Sequence, residues 1–334
     1  MGDVAQALVR AASTIVSTPW LIVNLIFLGT PTFAVPTLEA LASVGHNVLA
    51  VYTQPDRPKG RGGQLAISAV KEAALRLGLP IYQPERIRRP ESVEQLHAFQ
   101  PEAMVIVGYG QIIPQSIIDI PPRGIINVHA SLLPKYRGAA PIQWAIANGE
   151  TRTGVTTMRI DAGLDTGDML LKWETGIGAE ENALELGPRL ATAGAELLIE
   201  TLAGIEAREI VPEKQDDSQA TLAPILKKED ALIDWRWPAE KIFNRSRGFL
   251  PWPGAYSHFR GQMFHVWRSS VSAEAFAGQP GRLLAAKRRL FVCCGDGTTL
   301  EALEVQIEGR KRMSAEAFLN GQRLNENECL GEKT

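Results

Sequence analysis

With 334 residues, 45% of them hydrophobic and 22% charged, the chain is long enough for two cores and its composition excludes a largely disordered protein. Its three cysteines, Cys293, Cys294 and Cys329, have neither the paired spacing of a disulfide framework nor that of a zinc site, so a reducing compartment is expected and no metal. The net charge of −2 is uneven: residues 226–334 carry 17 Lys and Arg against 13 Asp and Glu, while the first 225 carry 18 against 24, a lean toward a polyanionic partner for the final third.

Residues 1–20 are Ala-rich, begin with Asp3 rather than a cationic stretch, and are interrupted at Ser17, Thr18 and Pro19. This is not the pattern of a signal peptide, and the apolar run at 20–29 is too short to cross a membrane. A poorly ordered extension, no membrane partner and a cytoplasmic location are therefore expected. The apolar run at 21–28 predicts a buried strand, ended by Gly29-Thr30-Pro31. A helix is expected over 36–44, stopped by Gly45, followed by a strand over 47–52. The Gly- and Pro-rich stretch 55–63 predicts a loop. Helices follow over 68–77 and 91–99, with strands at 81–82, 103–107 and 124–129, and a helix over 141–147 with Pro141 in its first turn. Strands alternating with helices of this length predict an α/β domain with a mostly parallel sheet.

The pattern changes after Gly154. Two strands are expected at 155–160 and 169–173, joined through the Gly-containing loop 161–168, then a long helix over 182–205. A polar, mixed stretch at 206–231 suggests a linker. From residue 234 onward, short strands at 264–270, 290–294 and 298–305 suggest a small β-barrel. The expected organisation is an extension over 1–20, a catalytic domain over 21–205, a linker over 206–231 and a barrel over 232–334.

After the first strand, Gly29-Thr30-Pro31 departs from the glycine pattern that a dinucleotide fold uses to cradle pyrophosphate, which argues against a nicotinamide or flavin dehydrogenase. The most informative stretch is Ile126-Asn-Val-His-Ala-Ser-Leu-Leu-Pro134. Strand periodicity puts Asn127 and His129 on one face, at the end of a parallel strand where open α/β sheets keep their sites. A lone histidine there could simply be a core residue bonded to a backbone carbonyl. Asp165, in the glycine-flanked loop Gly163-Leu-Asp-Thr-Gly167, supplies a carboxylate that changes the reading. Acyl transfer to an amine needs donors for a developing oxyanion and an acceptor for the amine's proton. Asn127 and His129 can donate, and Asp165 can accept, directly or through water.

Asn127-x-His129 with Ser131-Leu-Leu-Pro134, and then Leu164-Asp-x-Gly167, resembles the formyltransferases that use 10-formyltetrahydrofolate. Gly29-Thr-Pro-x-Phe-Ala34, Thr53-Gln-Pro-Asp-Arg-Pro-Lys-Gly-Arg-Gly62, Gly138-Ala-Ala-Pro-Ile-Gln143 and Pro251-Trp-Pro-Gly-Ala255 extend the resemblance over about 24–322, nearest to the branch that formylates methionyl initiator tRNA. It implies a Rossmann-like formyltransferase domain followed by a small C-terminal OB-like β-barrel that binds tRNA, and an enzyme acting in translation initiation. It implies Asn127, His129 and Asp165 as catalytic, and Ser131, Leu132, Leu133, Pro134, Gln111 and Ile112 around the folate, the formyl donor.

Lys59 and Arg61 fall in the loop that this family inserts at the tRNA acceptor end, and Arg310, Lys311 and Arg312 on the barrel are further expected tRNA contacts. Basic residues there, with Lys287, Arg288 and Arg289, can equally protect strand edges. Trp252, between Pro251 and Pro253, reads as packing rather than base stacking. The family pattern Pro-Ser-Pro-Val-Lys after the loop is replaced by Ala66-Ile-Ser-Ala-Val-Lys71, and the first 20 residues have no counterpart. The expected partners are tRNA and folate, and the expected state is a monomer. Two rivals stand: a formyltransferase for a nucleotide-linked amino sugar, and a non-catalytic nucleic-acid-binding protein.

Overall fold

A computed structural model describes residues 22–59 and 64–331; the expected extension at 1–20 and the expected tRNA contact Arg61 lie outside the described residues. β1 (Asn24–Gly29) is buried at every position but its first, as an unbroken apolar run requires of a strand covered on both faces. It is followed by α1 (Val35–Ser43), β2 (Asn47–Tyr52), β3 (Arg57–Lys59), β4 (Gln64–Ala66), α2 (Ala69–Arg76), β5 (Ile81–Tyr82) and α3 (Pro90–Ala98). Next come β6 (Ala103–Val107), α4 (Gln115–Ile118), β7 (Ile125–His129), α5 (Pro141–Ala147), β8 (Arg152–Arg159), β9 (Met169–Gly176) and α6 (Ala183–Ala207).

The sheet runs β5-β2-β1-β6-β7-β8-β9, the first five strands parallel and the last two antiparallel. Strand order reverses between β1 and β6, the place where open α/β sheets leave a crevice for ligands. One face packs Leu25, Phe27, Val105, Ile126 and Val128 against Leu38 of α1 and Leu190 and Leu198 of α6. The other packs Ile26, Met104 and Ile125 against Ile87, Leu96 and Ile117. Asn182 caps α6 by accepting from the amides of Leu184 and Glu185, while the Glu185 carboxylate takes the Asn182 amide. Such a reciprocal cap is worth about 1 kcal/mol. The stretch 55–63, expected as a plain loop, instead opens a two-stranded hairpin, Arg57 pairing with Ala66 and Lys59 with Gln64.

The second unit contains α7 (Ala239–Gly248), β10 (Tyr256–Phe259), β11 (Gln262–Val271), β12 (Leu283–Ala286), β13 (Arg289–Cys293), β14 (Thr299–Ile307), β15 (Met313–Ser314) and α8 (Ala315–Gly321). Its strands pair antiparallel in the order β10-β11-β14-β13-β12, with β15 on β14. β10 and β12 do not pair with each other, so the sheet is a half-barrel around Phe259, Phe264, Val266, Leu290, Leu300 and Phe318. Neither α7 nor α8 was expected; α7 is mostly polar, and it buries the polar Asn244, Ser246 and Arg247 along with Ala239 and Ile242.

The two units meet where α7 lies against α5. A Cβ at Gly248 would stand 2.8 Å from the backbone nitrogen of Ala147 and the carbonyl of Gln143, so only glycine allows this approach. Arg247 donates to the carbonyls of Glu181 (2.6 Å) and Gly178 (3.2 Å), and Trp144 of α5 packs edge-on against Phe249. No helix among the described residues is long and apolar enough to cross a membrane.

Candidate active site

Asn127 and His129 alternate with Ile126 and Val128 along β7, and so leave the core face together. Both are buried, 6% and 5% exposed. Asp165 reaches them from the loop between the antiparallel strands β8 and β9. Its Oδ1 accepts from Asn127 Nδ2 at 3.5 Å, and its Oδ2 lies 3.7 Å from His129 Nδ1. The structure thus brings the three expected catalytic residues together. Because β8 runs antiparallel to β7, the loop leaves beside the start of β7, and Asp165 meets the face of that strand.

The other ring nitrogen of His129, Nε2, lies 2.9 Å from the carbonyl of Tyr136. A carbonyl only accepts, so Nε2 carries a hydrogen and Nδ1 is the nitrogen that faces Asp165. The amide of Gly138 donates to Asp165 Oδ2 at 2.9 Å. Tyr136 and Asp165 both hold left-handed backbone, with φ of 61° and 51°. For residues other than glycine this costs of order 1 kcal/mol and persists only where the surroundings enforce it. Around Tyr136 they do: its amide donates to Thr221 Oγ1 and its hydroxyl to Glu150, while Asn148 donates to that hydroxyl. Burial first, and then Glu150, pushes the Tyr136 phenol up to about 12, which keeps it a neutral donor.

Sequence reasoning missed these supporting residues, and missed the segment that joins the two units. Residues 213–223, inside the stretch expected to be a linker, are bonded across the site. Glu213 and Met169 exchange both backbone hydrogen bonds, Ala223 donates to the carbonyl of Arg137, and Gln215 donates to the carbonyls of Asp165 and Gly167. No periodicity marks such a segment, because its regular structure is limited to one 3-10 turn, Asp217–Gln219, and single bridges to Met169 and Arg137.

The residues expected around the folate divide. Ile112 is 87% exposed on the loop after β6, and Leu132 and Pro134 are half-buried. Leu133, 1% exposed, is a core residue packed on Met158 and Met169. Ser131 is buried, and its hydroxyl donates to the carbonyl of Lys135, which closes the turn. Gln111 accepts from the amide of Ile87 and donates to the carbonyl of Pro84, holding the neighbouring loop. Ser131, Leu133 and Gln111 therefore make their contacts within the protein.

Of the expected tRNA contacts, Lys59 ends β3, while Arg310, Lys311 and Arg312 are exposed in the turn after β14. Arg312 lies over the Trp267 ring, 3.5 Å from its centre, with His265 stacked on the same indole at 4.9 Å. Trp252 is 56% exposed and is not the packed ring expected: its flanking prolines turn the chain without covering it. Arg289 is committed to Glu301 and Glu274, and Arg288 to Glu316, so these two arginines serve the sheet itself.

The formyl transferase family model matches residues 22–202, and the model of the formyl transferase C-terminal domain matches 225–323. The chain belongs to the formyltransferase family. Among its relatives, the methionyl-tRNA formyltransferase of Solibacter usitatus is 68% identical over 92% of this chain and 99% of that protein. The methionyl-tRNA formyltransferase of Koribacter versatilis is 57% identical over 92% of this chain and 98% of that protein. Among solved structures, a Helicobacter canadensis N-formyltransferase, in complex with folinic acid and dTDP-3-aminofucose, shares the fold with a TM-score of 0.63 at 17% identity, covering 84% of this chain and 99% of that one. The methionyl-tRNA formyltransferase of Clostridium thermocellum aligns with a TM-score of 0.52 at 19% identity, covering 77% and 97%.

Proposed function

We propose that the protein transfers the formyl group of 10-formyltetrahydrofolate to the free amino group of methionyl-tRNA, for translation initiation. The observation that carries this reading is the meeting of Asn127, His129 and Asp165 on β7, in a chain 68% identical almost end to end to a methionyl-tRNA formyltransferase.

In the reaction the amine attacks the formyl carbon, a new C–N bond forms, and the bond to N10 of the folate breaks. Negative charge develops on the formyl oxygen. Asn127 Nδ2 spends one hydrogen weakly on Asp165 and keeps the other for that oxygen; such a donor is worth about 3 kcal/mol. His129, with its Nε2 hydrogen held by the Tyr136 carbonyl, turns Nδ1, the acceptor nitrogen of that tautomer, toward Asp165 and the reacting centre. Asp165, fixed by the Gly138 amide, takes the amine's proton, which passes to N10 of the departing tetrahydrofolate. Ile112, Leu132 and Pro134 are apolar surfaces for the flat pterin. We assign the acceptor's phosphates to Lys59 and Arg61 and to Arg310, Lys311 and Arg312 on the half-barrel.

Incubation with 10-formyltetrahydrofolate and either charged methionyl-tRNA or a nucleotide-linked amino sugar tests the reading. Formylmethionyl-tRNA is expected from the first. Formylation of the sugar alone would replace this acceptor with the other.

A further inference from the structure

We propose that Gln215 is a positioning residue, whose side-chain amide fixes the loop that holds Asp165 against β7. The proposal rests on the functional reading above. Gln215 Nε2 donates to two carbonyls of that loop, of Asp165 and of Gly167, each at 2.8 Å. Its Oε1 accepts from Arg137 Nε at 3.0 Å. Arg137 is buried, and its other arm donates to Asp217 at 2.7 Å. Four residues after Asp217, Thr221 accepts the Tyr136 amide through its hydroxyl and the Arg137 amide through its carbonyl.

Segment 213–223 therefore ties two loops that share no strand. One is 136–140, which supplies the carbonyl for His129 and the amide for Asp165. The other is 165–169, which supplies Asp165 itself. Both left-handed residues of the site, Tyr136 and Asp165, are bonded to this segment. Asp165 touches Asn127 and His129 only at 3.5 and 3.7 Å, so those contacts are too long to hold the carboxylate by themselves. The Gly138 amide and the backbone clamp from Gln215 remain to set its position.

The chemistry of the clamp calls for glutamine. Two carbonyl oxygens need two N–H donors, and the guanidinium needs an acceptor; one amide supplies both. A glutamate of the same length would keep the acceptor for Arg137, and would set an anionic oxygen against two carbonyl oxygens. Gln215→Glu thus separates a role in tying the segment to Arg137 from a role in positioning Asp165.

The test uses Gln215→Glu and Gln215→Met in the full chain. In both, kcat for formyl transfer to methionyl-tRNA should fall roughly 10- to 100-fold, the scale of a misplacement of about 1 Å. KM for tRNA and for 10-formyltetrahydrofolate should stay within about twofold, because Gln215 spends both ends of its amide on groups of the protein itself. Wild-type kcat in Gln215→Glu would overturn the proposal, and if that variant does not fold, wild-type kcat in Gln215→Met does the same. Should the wild-type protein transfer no formyl group to methionyl-tRNA, the functional reading fails, and the clamp is judged by amide hydrogen exchange over 163–168. Faster exchange in Gln215→Met supports it, and unchanged exchange refutes it.

Discussion

At the residue scale, the site depends on groups whose freedom has been used up by neighbours. His129 has one nitrogen committed to Tyr136 and one facing Asp165, so replacing the ring removes a polar group of the reacting centre and none of the exposed basic side chains. His129→Ala should lower kcat by at least about 100-fold and leave tRNA affinity within about twofold, read by steady-state kinetics and filter binding. Equal losses in both would assign the histidine to folding. The thiols make a second residue-level prediction. Burial pushes the Cys294 thiol up to about 12 and raises Cys293 as well, whereas Cys329 is only half-buried. A maleimide at neutral pH should label Cys329 quickly and the adjacent pair only on unfolding, counted by mass spectrometry. Asn127, His129 and Asp165 could be picked out from the sequence because strand period and a glycine-flanked loop carry them. Gln215 and Thr221 could not, since their importance lies in which carbonyl or amide they reach, across 50 and 85 residues of chain.

At the element scale, strands were easier to foresee than the two short helices of the second unit. β2, β6 and α5 fall at their expected bounds, because apolar runs and Pro141 mark them. α7 escapes notice because its buried positions mix Ala239 and Ile242 with Asn244, Ser246 and Arg247, and Arg247, which also donates to Asn244 of its own helix, bonds to the first unit. The contact between α5 and α7 is correspondingly sensitive. Gly248→Val must push Ala147 and Gln143 apart, and should destabilise the fold by about 1–3 kcal/mol, read from urea unfolding. An unchanged midpoint would mean the helices do not meet as described. Within the half-barrel, the hydrogen bonds from Arg289, outweighing the opposing effect of burial, hold the Glu301 carboxyl below its usual range. A carboxyl depressed in the folded state contributes stability that is fully present at neutral pH, and this is lost as pH falls through the folded value. Glu301→Gln should therefore weaken the protein at pH 7 and change its stability much less at pH 3. The reverse order would refute the pairing.

At the scale of the whole molecule, the chain places a donor-and-acceptor chemistry on one sheet and a basic, half-open barrel beside it, with the joining segment threaded through the chemistry. The first of these was legible from the sequence because periodicity and spacing report on regular structure. The threading was not, because a polar irregular stretch has the same composition whether it is bonded to a site or free in water. The central claim is that Asp165, brought to Asn127 and His129, carries formyl transfer to methionyl-tRNA. It is tested most directly by measuring formylmethionyl-tRNA formation from 10-formyltetrahydrofolate by the wild-type protein and by Asp165→Asn under single-turnover conditions. Transfer by the wild type is expected, and a rate lower by at least about 100-fold in the variant, on the scale of lost acid–base catalysis. Equal rates in the two, or no formylmethionine from the wild type, would contradict it.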